Sequence, residues 1–126
     1  MKFVQTDKAP SAIGPYSQAV VANGMVYTSG QIALLADGSD ELLGKDVVTQ
    51  SKQVLLNLSE VLKEANSSMD KVVKTTIFLA SMDDFAVVNE IYAEAFGSHK
   101  PARATVAVKT LPKNALVEID AVALVG

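Results

Sequence analysis

The chain has 126 residues, 49% of them hydrophobic and 20% charged, with a formal net charge of −3, no cysteine and one histidine. That is enough for one domain with a real core and no room for a second, so residues 1–126 are read as a single unit. Disulfides and thiol catalysis are excluded, one histidine leaves too few ligands for a zinc site, and the scattered lysines form no basic patch of the kind nucleic-acid binding requires.

A mean hydropathy of +0.26 is high for a small soluble monomer and predicts apolar surface covered by partner subunits. No apolar stretch approaches the roughly 18 residues of a membrane span. The start, Met-Lys-Phe-Val-Gln-Thr-Asp-Lys, has no signal-peptide core, and with the absence of cysteine it predicts a cytoplasmic protein.

The chain opens with a short strand at Phe3 to Gln5. A loop from Thr6 to Tyr16 follows, stiffened by Pro10 and Pro15. Ser17 to Val21 and Met25 to Ser29 flank Asn23-Gly24, the signature of a two-residue type I′ hairpin. Gly30 to Lys45 holds Asp37, Gly38 and Gly44 and reads as the most mobile internal loop. From Asp46 to Ala65, apolar residues recur at helical spacing (Val47, Val54, Leu55, Leu58, Val61, Leu62), until Asn66, Ser67 and Ser68 stop them.

Val72 to Ala80 is a strand rich in β-branched residues. A second helix runs from Asp83 or Asp84 to Phe96, with Gly97 at C′. Arg103 to Val108 reads as a buried strand, Leu111 to Asn114 as a turn and Leu116 to Val125 as the last strand. The order β-β-β-α-β-α-β-β makes an α+β domain with a mixed sheet. Each helix joins two strands, which places both helices on one sheet face and leaves the other for a second subunit.

Arg103 is the only arginine; the other ten basic residues are lysines. A guanidinium grips a carboxylate bidentately, and in an apolar strand it must find a partner. Two readings stand: a structural ion pair across a subunit boundary, or a seat for a carboxylate ligand. Period-two alternation puts Thr105 on its face of the strand. Glu118 follows fifteen residues later, and a hairpin-like turn between them would make it the arginine's neighbour in the chain. It either neutralises Arg103 or is a carboxylate of raised pKa suited to proton transfer.

Asn89 falls on the apolar stripe of the second helix, as a packing amide or a ligand hydrogen bond. Tyr16, beside Pro15, is a core anchor or a cleft residue, and Ser29 before Gly30 is a turn or a set of donors facing a cavity. Neither His99 nor the segment Gly14 to Ser17 offers the surroundings of an acylating serine. A cation, a carboxylate, an amide and hydroxyls suit a small carboxylic acid and water.

Four segments carry a family resemblance: Ala9 to Ala19 (Ala-Pro-Ser-Ala-Ile-Gly-Pro-Tyr-Ser-Gln-Ala), Thr28-Ser29-Gly30-Gln31, Pro101-Ala102-Arg103-Ala104-Thr105-Val106 and Val117-Glu118-Ile119. In this order and spacing they resemble the RidA (YjgF) family of reactive-intermediate deaminases over essentially the whole chain. The resemblance implies a chorismate-mutase-like fold and a homotrimer with three sites in the clefts between subunits. It implies hydrolysis of enamines and imines such as 2-aminoacrylate to 2-keto acids and ammonia, with no metal or organic cofactor. By position, Arg103 would bind the carboxylate and Glu118 would position or activate water. Tyr16, Ser29, Gly30 and Asn89 would line the cleft, and Thr105 stands where cysteine is frequent. Lys100, before Pro101, is a variable feature of the cleft rim. The alternatives are a carboxylate-binding or regulatory module without turnover, and ribonuclease or translation inhibition.

Overall fold

The computed structural model describes residues 1–126. Its strands are β1 (Lys2–Val4), β2 (Ala19–Ala22), β3 (Met25–Thr28), β4 (Val72–Leu79), β5 (Ala102–Ala107) and β6 (Val117–Leu124). Its α-helices are α1 (Val47–Glu64), between β3 and β4, and α2 (Phe85–Phe96), between β4 and β5. This is the expected α+β, chorismate-mutase-like order. Asn23 and Gly24 take φ of 52° and 74°, the paired left-handed conformations of a type I′ turn joining β2 to β3. Asp46 caps α1 by accepting a hydrogen bond from the Thr49 amide at 2.9 Å, a contact whose loss costs on the order of 1 kcal/mol.

The sheet runs β1-β2-β3-β6-β4-β5, with β4 and β5 parallel and the other pairs antiparallel. Here the sequence reading needs correction. β6 does not return beside β5; it inserts between β3 and β4, so β4 separates the strand of Arg103 from that of Glu118. The short β5–β6 connection crosses over β4 because β6 gains two partners in the centre of the sheet and would gain one at its edge.

Both helices cover one face. Val26, Ile77, Leu79, Val117, Ile119, Ala121 and Ala123 point into it and meet Val54, Leu58, Val61 and Leu62 of α1 and Val88, Tyr92 and Phe96 of α2, all buried. Two buried amides anchor the segment read as mobile. Asn57 donates to the carbonyls of Ile32 and Leu34, and Gln50 donates to those of Leu43 and Lys45 while accepting from the Leu116 amide. Only the turn around Asp37 and Gly38 stands free of these ties.

No element of the chain covers the second face. Phe3, Tyr27 and Leu124 project from it, 71%, 49% and 51% exposed, beside Glu118 and Asp120. β5, read as buried from its Ala-Arg-Ala-Thr-Val-Ala composition, is in fact an exposed edge strand within one chain.

Candidate active site

Arg103 pairs in register with Thr75 and so faces α2. Its Nη1 donates to Asn89 Oδ1 at 2.8 Å. The guanidinium carbon lies 4.9 Å from the centre of the Tyr92 ring and 5.7 Å from that of Phe85, within cation–π range of both. Tyr92 is itself fixed by a 2.7 Å hydrogen bond between its hydroxyl and Thr75 Oγ1, and burial raises its pKa. Three side chains of α2 thus hold the arginine as a flat, oriented fork. The one ion pair in the chain joins Lys63 to Glu60, so no carboxylate of the same chain occupies Arg103. Asn89 is exposed, at the edge of the apolar stripe, and serves the arginine rather than helix packing.

Thr105 lies on the same strand face, and its hydroxyl is buried with no hydrogen-bond partner. Beside Arg103 a cavity of about 360 Å³ opens between the end of α2 and the start of β5, bordered by Asn89, Tyr92, His99 and Lys100.

Glu118 pairs with Phe78 and faces the opposite way, onto the open side of the sheet. It is half-buried, and its pKa is raised first by that burial and then by the charge of Asp120, two residues along the same face. Gly30 makes the position possible: a Cβ there would lie 2.3 Å from Glu118 Oε2 and 2.8 Å from its Cδ. The reason for glycine is space for the carboxylate. A second cavity of about 360 Å³ has Glu118 in its wall with Tyr16, Gly30, Gln31 and Lys113.

Tyr16 is 55% exposed on that wall and is no core anchor within one chain. The residue that places it is Gln18, which is buried. Its amide accepts from the Thr6 amide at 2.7 Å and donates to the carbonyls of Thr6 and Pro10 at 3.1 and 2.8 Å, folding the proline-containing loop onto β2. Ser29 closes the same loop, its hydroxyl donating to the Ser17 carbonyl and its amide to that of Gln18. Sequence reasoning missed Gln18. Its one signal was an amide inside the apolar run that begins β2.

The expected residues therefore form two groups. Arg103, Asn89 and Thr105 gather on the helix-covered side at the edge of the sheet. Tyr16, Gly30 and Glu118 gather around the cavity of the open side, with Ser29 next to Gly30 but bonded to the Ser17 carbonyl and outside the cavity wall. Two strand spacings and three residues of register separate Arg103 from Glu118, roughly 14 Å between Cα atoms, with their side chains on opposite faces. A small ligand cannot touch both within one chain. A further cavity of about 420 Å³ lies between α1 and α2, lined by Leu55, Leu56 and Ile91, away from these groups. No three metal-ligating side chains converge anywhere, and no helix is long and apolar enough to cross a membrane.

Residues 6–125 match the family model described as Endoribonuclease L-PSP. A mouse protein named 2-iminobutanoate/2-iminopropanoate deaminase is 49% identical over 125 residues, covering 99% of this chain and 92% of its own. Among solved structures, a protein from Entamoeba histolytica described as an L-PSP endoribonuclease superposes with a TM-score of 0.94 at 57% identity, over 98% of both chains. TdcF of E. coli, solved with bound serine, superposes with a TM-score of 0.92 at 37% identity over the whole of both chains.

Proposed function

We propose that this chain, which belongs to the Endoribonuclease L-PSP family that includes the reactive-intermediate deaminases, is a 2-iminobutanoate/2-iminopropanoate deaminase, hydrolysing 2-imino acids to 2-keto acids and ammonia. The observation that carries the reading is Arg103: an oriented guanidinium with no carboxylate partner, in a chain 49% identical to a deaminase of that specificity over 99% of its length. A protonated imine is already electrophilic at carbon, so the protein needs to hold the carboxylate and deliver water. Arg103 takes the carboxylate bidentately. Glu118 accepts a proton from water as its oxygen bonds to C2, leaving a carbinolamine. That proton then passes to nitrogen; the carbinolamine hydroxyl gives its proton back to Glu118 as the C=O bond forms and the C–N bond breaks, releasing ammonia and the 2-keto acid. An enamine such as 2-aminoacrylate enters by protonation at C3. The raised pKa of Glu118 suits a base working near neutrality, and the cation of the substrate is stabilised by its charge.

The placement of the two groups on opposite faces supports a site completed by a second copy, the β5 edge of one subunit against the open face of the next. Such a contact is heterologous and, in a trimer, closes as a ring. A homotrimer with three shared clefts accounts for the uncovered Phe3, Tyr27 and Leu124 and for the exposed edge strand. Thr105 and Asn89 then border the carboxylate, with Tyr16, Ser29 and Gly30 around the water. Zero cysteines and the absence of a membrane-crossing helix fit work in the cytoplasm. RNA is disfavoured as substrate by the net charge of −3 and by a single histidine whose ring is bonded to the Val72 carbonyl.

The test is a coupled assay in which a pyridoxal-phosphate dehydratase generates 2-aminoacrylate and pyruvate release is followed with and without this protein. Faster release is expected. Saturable keto-acid binding without acceleration would make the protein a binding module and overturn the reading.

A further inference from the structure

The cavity beside Arg103 holds a second cation that the deamination of 2-iminopropanoate or 2-iminobutanoate does not use. Lys100 and Arg103 both border it, and His99 adds a ring whose Nε2 lies 2.7 Å from the Val72 carbonyl. A carbonyl only accepts, so that nitrogen carries the proton. No aspartate or glutamate lines the cavity, and Lys100 has no carboxylate within ion-pair distance. Residues three apart in a regular strand would point to opposite faces. Lys100 shares the cavity with Arg103 because it lies outside β5, in the connection from α2. Pro101 biases the backbone of Lys100 away from the helical region. Within one subunit, two unpaired cations share a concave wall of about 360 Å³ to which that subunit brings no acid, an arrangement suited to two negative groups on one small molecule.

We propose that Lys100 makes this cavity selective for 2-imino acids with a second carboxylate at the end of the side chain, of the 2-iminosuccinate and 2-iminoglutarate type. The proposal rests on the deaminase reading. Arg103 holds the carboxylate next to the imine carbon in the orientation that water attack requires, and the ammonium of Lys100 receives the distal one. The short aliphatic ends of 2-iminopropanoate and 2-iminobutanoate leave Lys100 unengaged. The reaction supplying such a substrate is the oxidation of the amine of an acidic amino acid, with the electron pair passing to a flavin or nicotinamide and the imine released before hydrolysis.

The experiment measures kcat/KM for 2-iminoglutarate and for 2-iminopropanoate, each generated in place by an amino-acid oxidase, in the wild type, Lys100→Gln and Lys100→Arg. Binding of 2-oxoglutarate and 2-oxobutanoate is followed by calorimetry on the same proteins. The expected result is a dicarboxylate-to-monocarboxylate ratio that falls about fivefold to tenfold in Lys100→Gln, through KM, and is kept in Lys100→Arg. The binding ratio of the two keto acids should follow it. A ratio unchanged by Lys100→Gln in both measurements overturns the role of Lys100 while leaving the deaminase intact. Failure of the wild type to accelerate hydrolysis of either imine refutes the deaminase reading itself. In that case the calorimetric ratio alone decides whether the pocket selects two charges.

Discussion

Replacing Gly30 with alanine tests the water side of the site without touching an ionisable group. The new Cβ would stand 2.3 Å from Glu118 Oε2, and ordinary contact begins near 3.4 Å, so the carboxylate must retreat by about 1 Å. The obstacle is the far end of a flexible side chain and the backbone at Gly30 has no left-handed φ, so the chain folds and Glu118 moves. A displacement of that size in a group delivering a proton costs on the order of 100-fold in rate. The assay is kcat for imine hydrolysis, measured beside keto-acid affinity, in Gly30→Ala, Glu118→Gln and the double variant. Gly30→Ala should lose about two orders of magnitude in kcat with little change in affinity. The double variant should be little worse than Glu118→Gln, since both changes act on one function. Full activity in Gly30→Ala, or losses that multiply in the double variant, would refute the idea that this glycine exists to seat the carboxylate.

Arg103→Lys keeps the charge but loses the fork and its stacking on Tyr92, so kcat/KM and keto-acid affinity should fall roughly ten- to a hundredfold in an intact oligomer; wild-type values would make the arginine structural. Glu118→Gln should lower turnover by at least about 100-fold with keto-acid binding nearly unchanged, and an equal rate would remove Glu118 from the chemistry. Asp120→Asn bears on pH. Glu118 must be ionised to accept a proton, and the charge of Asp120 helps raise its pKa, so removing that charge should shift the acid limb of kcat/KM to lower pH; a shift upward or none at all would count against this pairing. Mass photometry at micromolar concentration should find a trimer, and a stable monomer would contradict the shared cleft.

The succession of elements was legible because it depends on local signals: Asn23-Gly24 for the hairpin, the apolar spacing from Val47 to Leu62 for α1, and Gly97 for the end of α2. Strand order was not. The insertion of β6 between β3 and β4 depends on contacts far apart in sequence, and a turn at Leu111 to Asn114 is equally compatible with a simple hairpin. The error of placing Arg103 and Glu118 on neighbouring strands followed from that alone. β5 was misread, and Tyr16 was left open between core and cleft, for a related reason. Ala-Thr-Val-Ala and a Pro-flanked tyrosine look like core, yet one chain leaves them uncovered. Gln18, Gln50 and Asn57 escaped notice because a buried amide bonded to main chain leaves no periodic trace in a sequence.

The placement of Arg103 and Glu118 on opposite faces of one sheet has a genetic consequence in the proposed ring. Each subunit would lend its arginine to one cleft and its glutamate to another, so a chain lacking only one of them spoils one site of three. Subunits lacking Arg103 and subunits lacking Glu118, each inactive alone, should restore activity when dissociated and reassembled together, because some clefts would draw the arginine from one and the glutamate from the other. In a cell carrying both alleles, two null mutations would complement each other within a single gene.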